Sequence, residues 1–185
     1  LLSQPVPEPD AVAEQGLARP RFDRADLAAY PLGDAQPQQL AERILAEQPY
    51  RIELLVLAGA NPVFDSPRPE RFTQALAKVP FVVSLSPWLD DSARWADLII
   101  PDTHFLSRWD VDVSHTLTGQ PTVSIGQPVV ADPSGARGSG ALALELARKL
   151  GAPLAAALPF QDTRAVVRAV CDTLYASGRG GAFGP

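Results

Sequence analysis

The chain has 185 residues, 46% hydrophobic and 20% charged, enough for a domain with a sizeable core. Its formal net charge is −5 and no Lys/Arg cluster marks a nucleic-acid footprint, so nucleic acid is set aside. No apolar stretch approaches the ~20 residues that span a bilayer, and the single Cys171 can neither pair internally nor bind a metal alone.

Residues 1–35 are rich in Pro, Gly and Asp and show little periodicity, which reads as an irregular arm or linker. The chain contains no methionine and begins Leu1-Leu2-Ser3, so a piece of a longer or processed polypeptide is expected. Leu1-Leu2 is too short for a signal-peptide core, so any targeting segment is expected outside this piece. Asp34-Ala35-Gln36-Pro37 opens a helix with proline in its first turn, Leu40, Ile44 and Leu45 form its apolar stripe, and Pro49 ends it. A strand follows at Leu54–Ala58. Pro67–Lys78 is the next helix, with Phe72, Ala75, Leu76 and Val79 inward. A second strand is expected at Phe81–Leu85, a short helix with an acidic first turn at Asp90–Ala96, and a third strand at Leu98–Ile100.

Beyond Pro101 the texture is loop-like to residue 138, with β-prone pieces at 121–125 and 127–131. Ser139–Leu150 reads as an amphipathic helix closed by Gly151, and Thr163–Tyr175 as another, capped by Asp162 or Thr163. Cys171 lies on an apolar helical stretch and is expected to be buried and inert. Trp88, Trp95 and Trp109 read as packing residues, Trp88 lying near the strand ends. Gly135, Gly138 and Gly140 precede a helix without the lysine of a phosphate loop. Residues 36–178 are taken as one α/β domain and 179–185 as a flexible glycine-rich tail.

Three continuous apolar runs separated by helical patterns predict an α/β fold: a Rossmann-like parallel sheet with flanking helices. Ligands of such sheets bind beyond the carboxyl ends of the strands. The candidate site therefore comprises Gly59, which permits close backbone approach, Asn61, whose amide both donates and accepts, and Ser84 and Ser86 ending the second strand. Asp97, before the third strand, either orders the preceding loop or accepts from a ligand. Asp102, Thr103 and His104 follow the third strand; for His104 and His115 a plain polar loop role stands beside a ligand role. A tight strand-to-helix turn at Gly59–Pro62 and an ordinary acidic helix start at Asp91-Ser92 are the structural alternatives. The sequence contains no paired acid and base, metal-ligand cluster or recognised nucleophile, so the piece alone is expected to be inactive.

Gly59-Ala60-Asn61-Pro62, Val82-Val83-Ser84-Leu85-Ser86, Asp91-Ser92-Ala93 and Ala96-Asp97-Leu98-Ile99-Ile100-Pro101, in this order, resemble the central region of the molybdopterin oxidoreductases, the dimethyl sulfoxide reductase superfamily. Pro49-Tyr50-Arg51-Ile52, Phe105-Leu106-Ser107-Arg108-Trp109-Asp110 and Gly126-Gln127-Pro128-Val129-Val130 are most similar to the polysulfide, thiosulfate and tetrathionate reductase branch. The similarity runs from about residue 30 to residue 180.

The resemblance implies part of a larger multidomain catalytic subunit holding molybdenum or tungsten between two molybdopterin guanine dinucleotides. Gly59, Asn61, Ser84, Ser86 and Asp97 would be the cofactor-contacting residues. It further implies a 4Fe-4S centre elsewhere in the parent protein, an iron–sulfur electron-transfer subunit and a membrane-anchor subunit as partners besides the remaining domains, and a peripheral place on the periplasmic side of a membrane. The substrate would be a small sulfur or nitrogen oxyanion. Ser86 stands where the family usually has Asp, and Ser107 where it often has Glu. These departures keep a second expectation open: a scaffold subunit of the alternative complex III type that carries no pterin. A dinucleotide module unrelated to molybdenum would need a Gly-x-Gly-x-x-Gly turn after the first strand, and there is none.

Overall fold

The computed structural model describes residues 37–115 and 121–176, together with Ala11, Glu14, Gln15, Ala18 and Phe22. The arm expected at 1–35 and the tail at 179–185 lie almost wholly outside the described residues. The chain divides into two compact units, one of residues 15–102, the other of residues 103–185 with 1–14.

In the first unit, helix α1 (Pro37–Ala46) precedes strand β1 (Leu54–Ala58). Ala41 and Ile44 are buried and Leu40 and Leu45 half-buried, the stripe expected from helical spacing. After β1 comes the one-turn helix α2 (Pro62–Asp65), for which the sequence reading has no element between the turn at Gly59–Pro62 and the helix expected from Pro67. Helix α3 (Pro69–Lys78) then buries Phe72, Ala75 and Leu76, with Val79 just beyond its end, as its apolar spacing requires. It starts two residues later than expected, because Pro69 takes the first helical position in place of Pro67. Strands β2 (Phe81–Ser86) and β3 (Leu98–Pro101) complete a sheet of order β1-β2-β3, both pairings parallel. The expected fold therefore holds.

The register aligns Leu57 with Ser84 and Ser84 with Ile99, so these side chains share one face. On that face Leu55, Leu57 and Val82 join Phe72, Ala75, Leu76, Ala41 and Ile44 in one core. Burying a side chain such as Phe72 or Leu76 contributes about 1.5–3 kcal/mol each. Glu42 of α1 accepts from Nε, at 2.9 Å, and Nη2 of Arg71 on α3, and Lys78 Nζ donates to Leu45 O at 2.7 Å, satisfying a carbonyl near the end of α1. The Arg71 contact holds the Glu42 carboxyl below its ordinary value.

In the second unit, β4 (Asp110–His115) and β5 (Pro121–Gly126) form an antiparallel pair. The first of these was expected as loop. The β-prone piece at 127–131 forms no strand, because the N–H groups of Val129 and Val130 both donate to Leu106 O, at 2.8 and 3.1 Å. Helix α4 (Ser139–Leu150) ends at Gly151, whose φ of 75° is open to glycine at no steric cost. Helix α5 (Leu154–Ala157) and helix α6 (Thr163–Ala176) follow. Asp162 caps α6: its Oδ1 accepts from Ala165 N at 2.8 Å. Leu144 and Ala147 of α4 and Val167 of α6 are buried. Cys171 is half-buried rather than buried. Trp109 is half-buried with the Arg164 guanidinium 5.3 Å from its ring centroid, a cation–π contact.

Candidate functional site

The carboxyl edge of the parallel sheet is built from two loops, one after β1 and one after β2. Gly59 ends β1 with φ of 59°, and its N–H donates to Leu85 O at 3.0 Å, which holds the turn against β2. A Cβ on Gly59 would meet no atom within 4 Å, so the turn opens to free space. Asn61 follows with φ −119° and ψ 66° and starts α2: its carbonyl accepts from Phe64 N and Asp65 N at 3.0 and 2.9 Å.

The Asn61 amide does not simply project from the strand end. Its Oδ1 accepts from both Ser92 N at 3.1 Å and Ser92 Oγ at 2.7 Å. Ser92, fully buried, in turn accepts from Val63 N at 3.0 Å. Both lone pairs of the amide oxygen are thus used within the fold. Its Nδ2 reaches Asp91 Oδ2 at 3.5 Å, a long contact that leaves donor capacity free. Asn61 and Ser92 together fasten the loop after β1 to the loop after β2.

A second knot lies beside the first. Ser86 Oγ donates to Asp90 Oδ2 at 2.9 Å and accepts from Trp88 N at 3.2 Å, while Asp90 Oδ1 accepts from Ala93 N at 2.7 Å. Asp90 thus caps the 3-10 turn Ala93–Trp95, which replaces the short helix expected there. Sequence reasoning gave Asp90 no site role; the signal available was an Asp three residues before a helical start. Trp88 and Leu89 stand 68% and 74% exposed on this loop, so Trp88 is not a packing residue.

Of the five predicted residues, Gly59, Asn61 and Ser86 come together at this edge. Ser84 does not reach it: β2 continues to Ser86, and Ser84 is a strand-interior residue 2% exposed. Asp97 lies at the opposite, amino edge. Its Oδ2 accepts from Val82 N at 2.7 Å and its own N–H donates to Val82 O at 2.8 Å, the loop-ordering alternative. Asp102, after β3, is buried and its N–H donates to Ser86 O at 3.2 Å. In the other unit, His104 Nδ1 accepts from Leu106 N at 3.3 Å and so caps the 3-10 turn Phe105–Ser107. The side chain of His115 lies outside the described residues.

The chemistry of the edge is one-sided. Between Gly59 and Ser66, and between Pro87 and Ser92, there are three carboxylates, Asp65, Asp90 and Asp91, and no Lys or Arg. Such loops suit N–H donors of a heterocycle and disfavour phosphate. Among the described residues no group of His, Cys, Asp and Glu could hold a metal ion, and no helix is long and apolar enough to cross a membrane.

No family model matches the chain. Curated relatives do. The menaquinone reductase, molybdopterin-binding-like subunit of Nitratidesulfovibrio vulgaris is 36% identical over 108 residues, 58% of this chain and 16% of that protein. The arsenate respiratory reductase molybdopterin-containing subunit ArrA of Chrysiogenes arsenatis is 32% identical over 130 residues, 65% of this chain and 15% of that protein. The thiosulfate reductase molybdopterin-containing subunit PhsA of Salmonella typhimurium is 28% identical over 153 residues, 80% of this chain and 20% of that protein. The chain is related to the molybdopterin oxidoreductases. It spans only 15% to 20% of the length of these three relatives. Acetylene hydratase from Pelobacter acetylenicus shares the fold, with a TM-score of 0.60 over 71% of this chain and 18% of that one, at 22% identity.

Proposed function

We propose that this chain is part of a molybdopterin oxidoreductase catalytic subunit and that the carboxyl edge of its sheet meets the base end of a molybdopterin guanine dinucleotide. The observation that carries the reading is the fastened pair of loops: an open glycine turn at Gly59 tied by Asn61 and Ser92 to a loop bearing Asp90 and Asp91. The pterin-held molybdenum or tungsten supplies the redox chemistry when bound.

The residues of this chain do the binding and orienting. Gly59 lets a planar ring approach the backbone. Asp90 and Asp91 offer carboxylate lone pairs to ring N–H groups, the charge-assisted contact that Ser86 by itself cannot make. Asn61 acts chiefly by positioning, since its oxygen is committed to Ser92 and only its Nδ2 faces outward. The same loops lack a cation for the diphosphate. Basic groups elsewhere in the subunit must hold it.

The proposal extends to a small oxyanion as substrate, with sulfur oxyanions supported by the names of the thiosulfate reductase and of a tetrathionate reductase relative from Archaeoglobus fulgidus. It also extends to a 4Fe-4S centre elsewhere in the parent subunit, to an iron–sulfur and a membrane-anchor subunit as partners, and to a periplasmic, peripheral place. The test is metal and pterin analysis of the subunit at the length of its relatives. Molybdenum or tungsten near one per chain, with retention weakened up to roughly tenfold by Asn61→Ala, is the expected result.

A second reading is favoured by two observations: Ser86 and Asp90 already satisfy one another, and a 36% identical relative is named molybdopterin-binding-like. On this reading the unit is a scaffold without pterin in a respiratory complex of the alternative complex III type. Iron without molybdenum or tungsten, and no effect of Asn61→Ala on metal content, would decide for it.

A further inference from the structure

The loop after β2 carries two large apolar side chains in water. Trp88 and Leu89 are 68% and 74% exposed, and the carboxylates Asp90 and Asp91 follow them directly. The backbone beneath them is held on both sides. Ser86 is the buried end of β2, and its Oγ accepts from Trp88 N at 3.2 Å. Asp90 accepts from the Ser86 hydroxyl at 2.9 Å and from Ala93 N at 2.7 Å, and Ser92 is buried and bonded to Asn61. Pro87 fixes its own φ immediately before Trp88. Trp88 thus projects from a loop whose backbone is pinned before and after it.

An exposed indole on a pinned loop beside carboxylates has a defined complement. Its flat face takes another flat ring, offset-stacked or edge-on. The carboxylates take N–H groups at the rim of that ring, and the lack of Lys and Arg in both loops disfavours phosphate. Gly59, on the loop tied to this one through Asn61 and Ser92, opens to free space and so leaves room for a ring. An aliphatic chain would leave the carboxylates unpaired. A purine base supplies both the flat face and the N–H rim.

We propose that Trp88 is the stacking platform for the guanine base of the dinucleotide, with Asp90 and Asp91 at the rim of the ring. The inference rests on the cofactor reading above and adds to it the residue that binds the face of the base. Every base has a π-face, so stacking on an indole is blind to which hydrogen-bonding edge the base presents. Trp88 therefore contributes affinity, and the carboxylates contribute the choice of base.

The test compares the subunit expressed from its natural gene with the same subunit made in cells that cannot synthesise the pterin. Hydroxyl radicals oxidise accessible tryptophans, and mass spectrometry reads the oxidation of Trp88 relative to Trp109, which is half-buried in the other unit. Trp88 should be oxidised several-fold less in the loaded subunit than in the pterin-free one. Trp88→Ala should weaken retention of the pterin nucleotide by about 5- to 150-fold. Trp88→Phe keeps a ring and should retain it nearly as well as the wild type. Equal oxidation in the two forms overturns the proposal: high in both leaves the indole in solvent, and low in both covers it with polypeptide, such as an arginine side chain. Trp88→Phe as weak as Trp88→Ala, or both as tight as the wild type, overturns it too. A wild-type subunit that holds no pterin nucleotide overturns the cofactor reading, and this inference falls with it. Pterin nucleotide present with Trp88 unprotected overturns the stacking role alone.

Discussion

The two edges of one small sheet use the same chemistry to different ends. At the amino edge, Asp97 and Val82 exchange two hydrogen bonds, 2.7 and 2.8 Å, and fasten the start of β3 to that of β2. At the carboxyl edge, Asp90 likewise accepts a backbone N–H at 2.7 Å, but from its own loop, and its second oxygen takes the Ser86 hydroxyl. The first contact joins strand to strand. The second, with Asn61 and Ser92, joins loop to loop beside an open glycine turn. A carboxylate beside a strand is therefore not a site by its type; the element it fastens decides what it can do.

The largest effect that separates the edges is expected from Asp97→Ala. It removes the acceptor of Val82 N–H, and should cost about 1.5 kcal/mol in urea unfolding, the low end for a bond to a charged group because Asp97 is solvent-exposed. Metal and pterin content of the parent subunit should be unchanged. Loss of cofactor with unaltered stability would erase the distinction between the edges.

Asn61→Asp comes next. The new carboxylate keeps the bonds from Ser92 but sets a charge against Asp91, 3.5 Å from the present Nδ2. Like charges at this distance repel. The penalty, on the order of 1 kcal/mol at pH 7, should shrink on addition of about 1 M NaCl, which screens it. A penalty independent of salt would mean that Asp91 does not face residue 61.

Ser86→Ala should cost about 0.5–1 kcal/mol: it removes the hydroxyl bond donated to the half-buried Asp90 carboxylate, which keeps its contact with Ala93 N, and the weaker one accepted from Trp88 N at 3.2 Å. If the edge binds a heterocycle through Asp90, the freed oxygen should leave cofactor retention equal or better. A loss of retention greater than tenfold would return the contact to Ser86 itself.

The smallest effect is expected away from both edges. Arg71 holds Glu42 below its ordinary pKa, so this contact adds stability above the unfolded-state value and loses it as pH falls through the lower folded one. Glu42→Gln should therefore lower the melting temperature slightly at pH 7 and less and less as the pH falls below the ordinary carboxylate range. Equal shifts at pH 7 and at low pH would make the contact one of packing rather than charge.

How much of this was legible beforehand varies with the range of the interaction. Leu54–Ala58, Phe81–Ser86 and Leu98–Pro101 announce themselves as strands because a buried parallel strand must be apolar on both faces. The inner face of Pro69–Lys78 follows from helical period. The strand at Asp110–His115 was hidden, since Asp, Val, Asp, Val, Ser and His carry no apolar run and the pairing with Pro121–Gly126 supplies its stability. Ser84 looked like an edge residue because strand ends are uncertain by a residue or two in sequence, whereas Asp97 stands before the third strand as expected and only the fold shows that it takes the Val82 N–H.

By itself, then, the sequence determined the parallel α/β layer, its helical cover, and the family likeness, because all rest on short-range patterns of apolar residues and turn formers. Only the tertiary structure decided what the polar residues at the strand ends do. Asn61 is bonded to Ser92, 31 positions away, and Ser86 shares its hydroxyl with Asp90 rather than holding it out to solvent. Hydrogen-bond capacity is a property of the residue. Whether that capacity remains for a ligand depends on which neighbours the fold brings within about 3 Å.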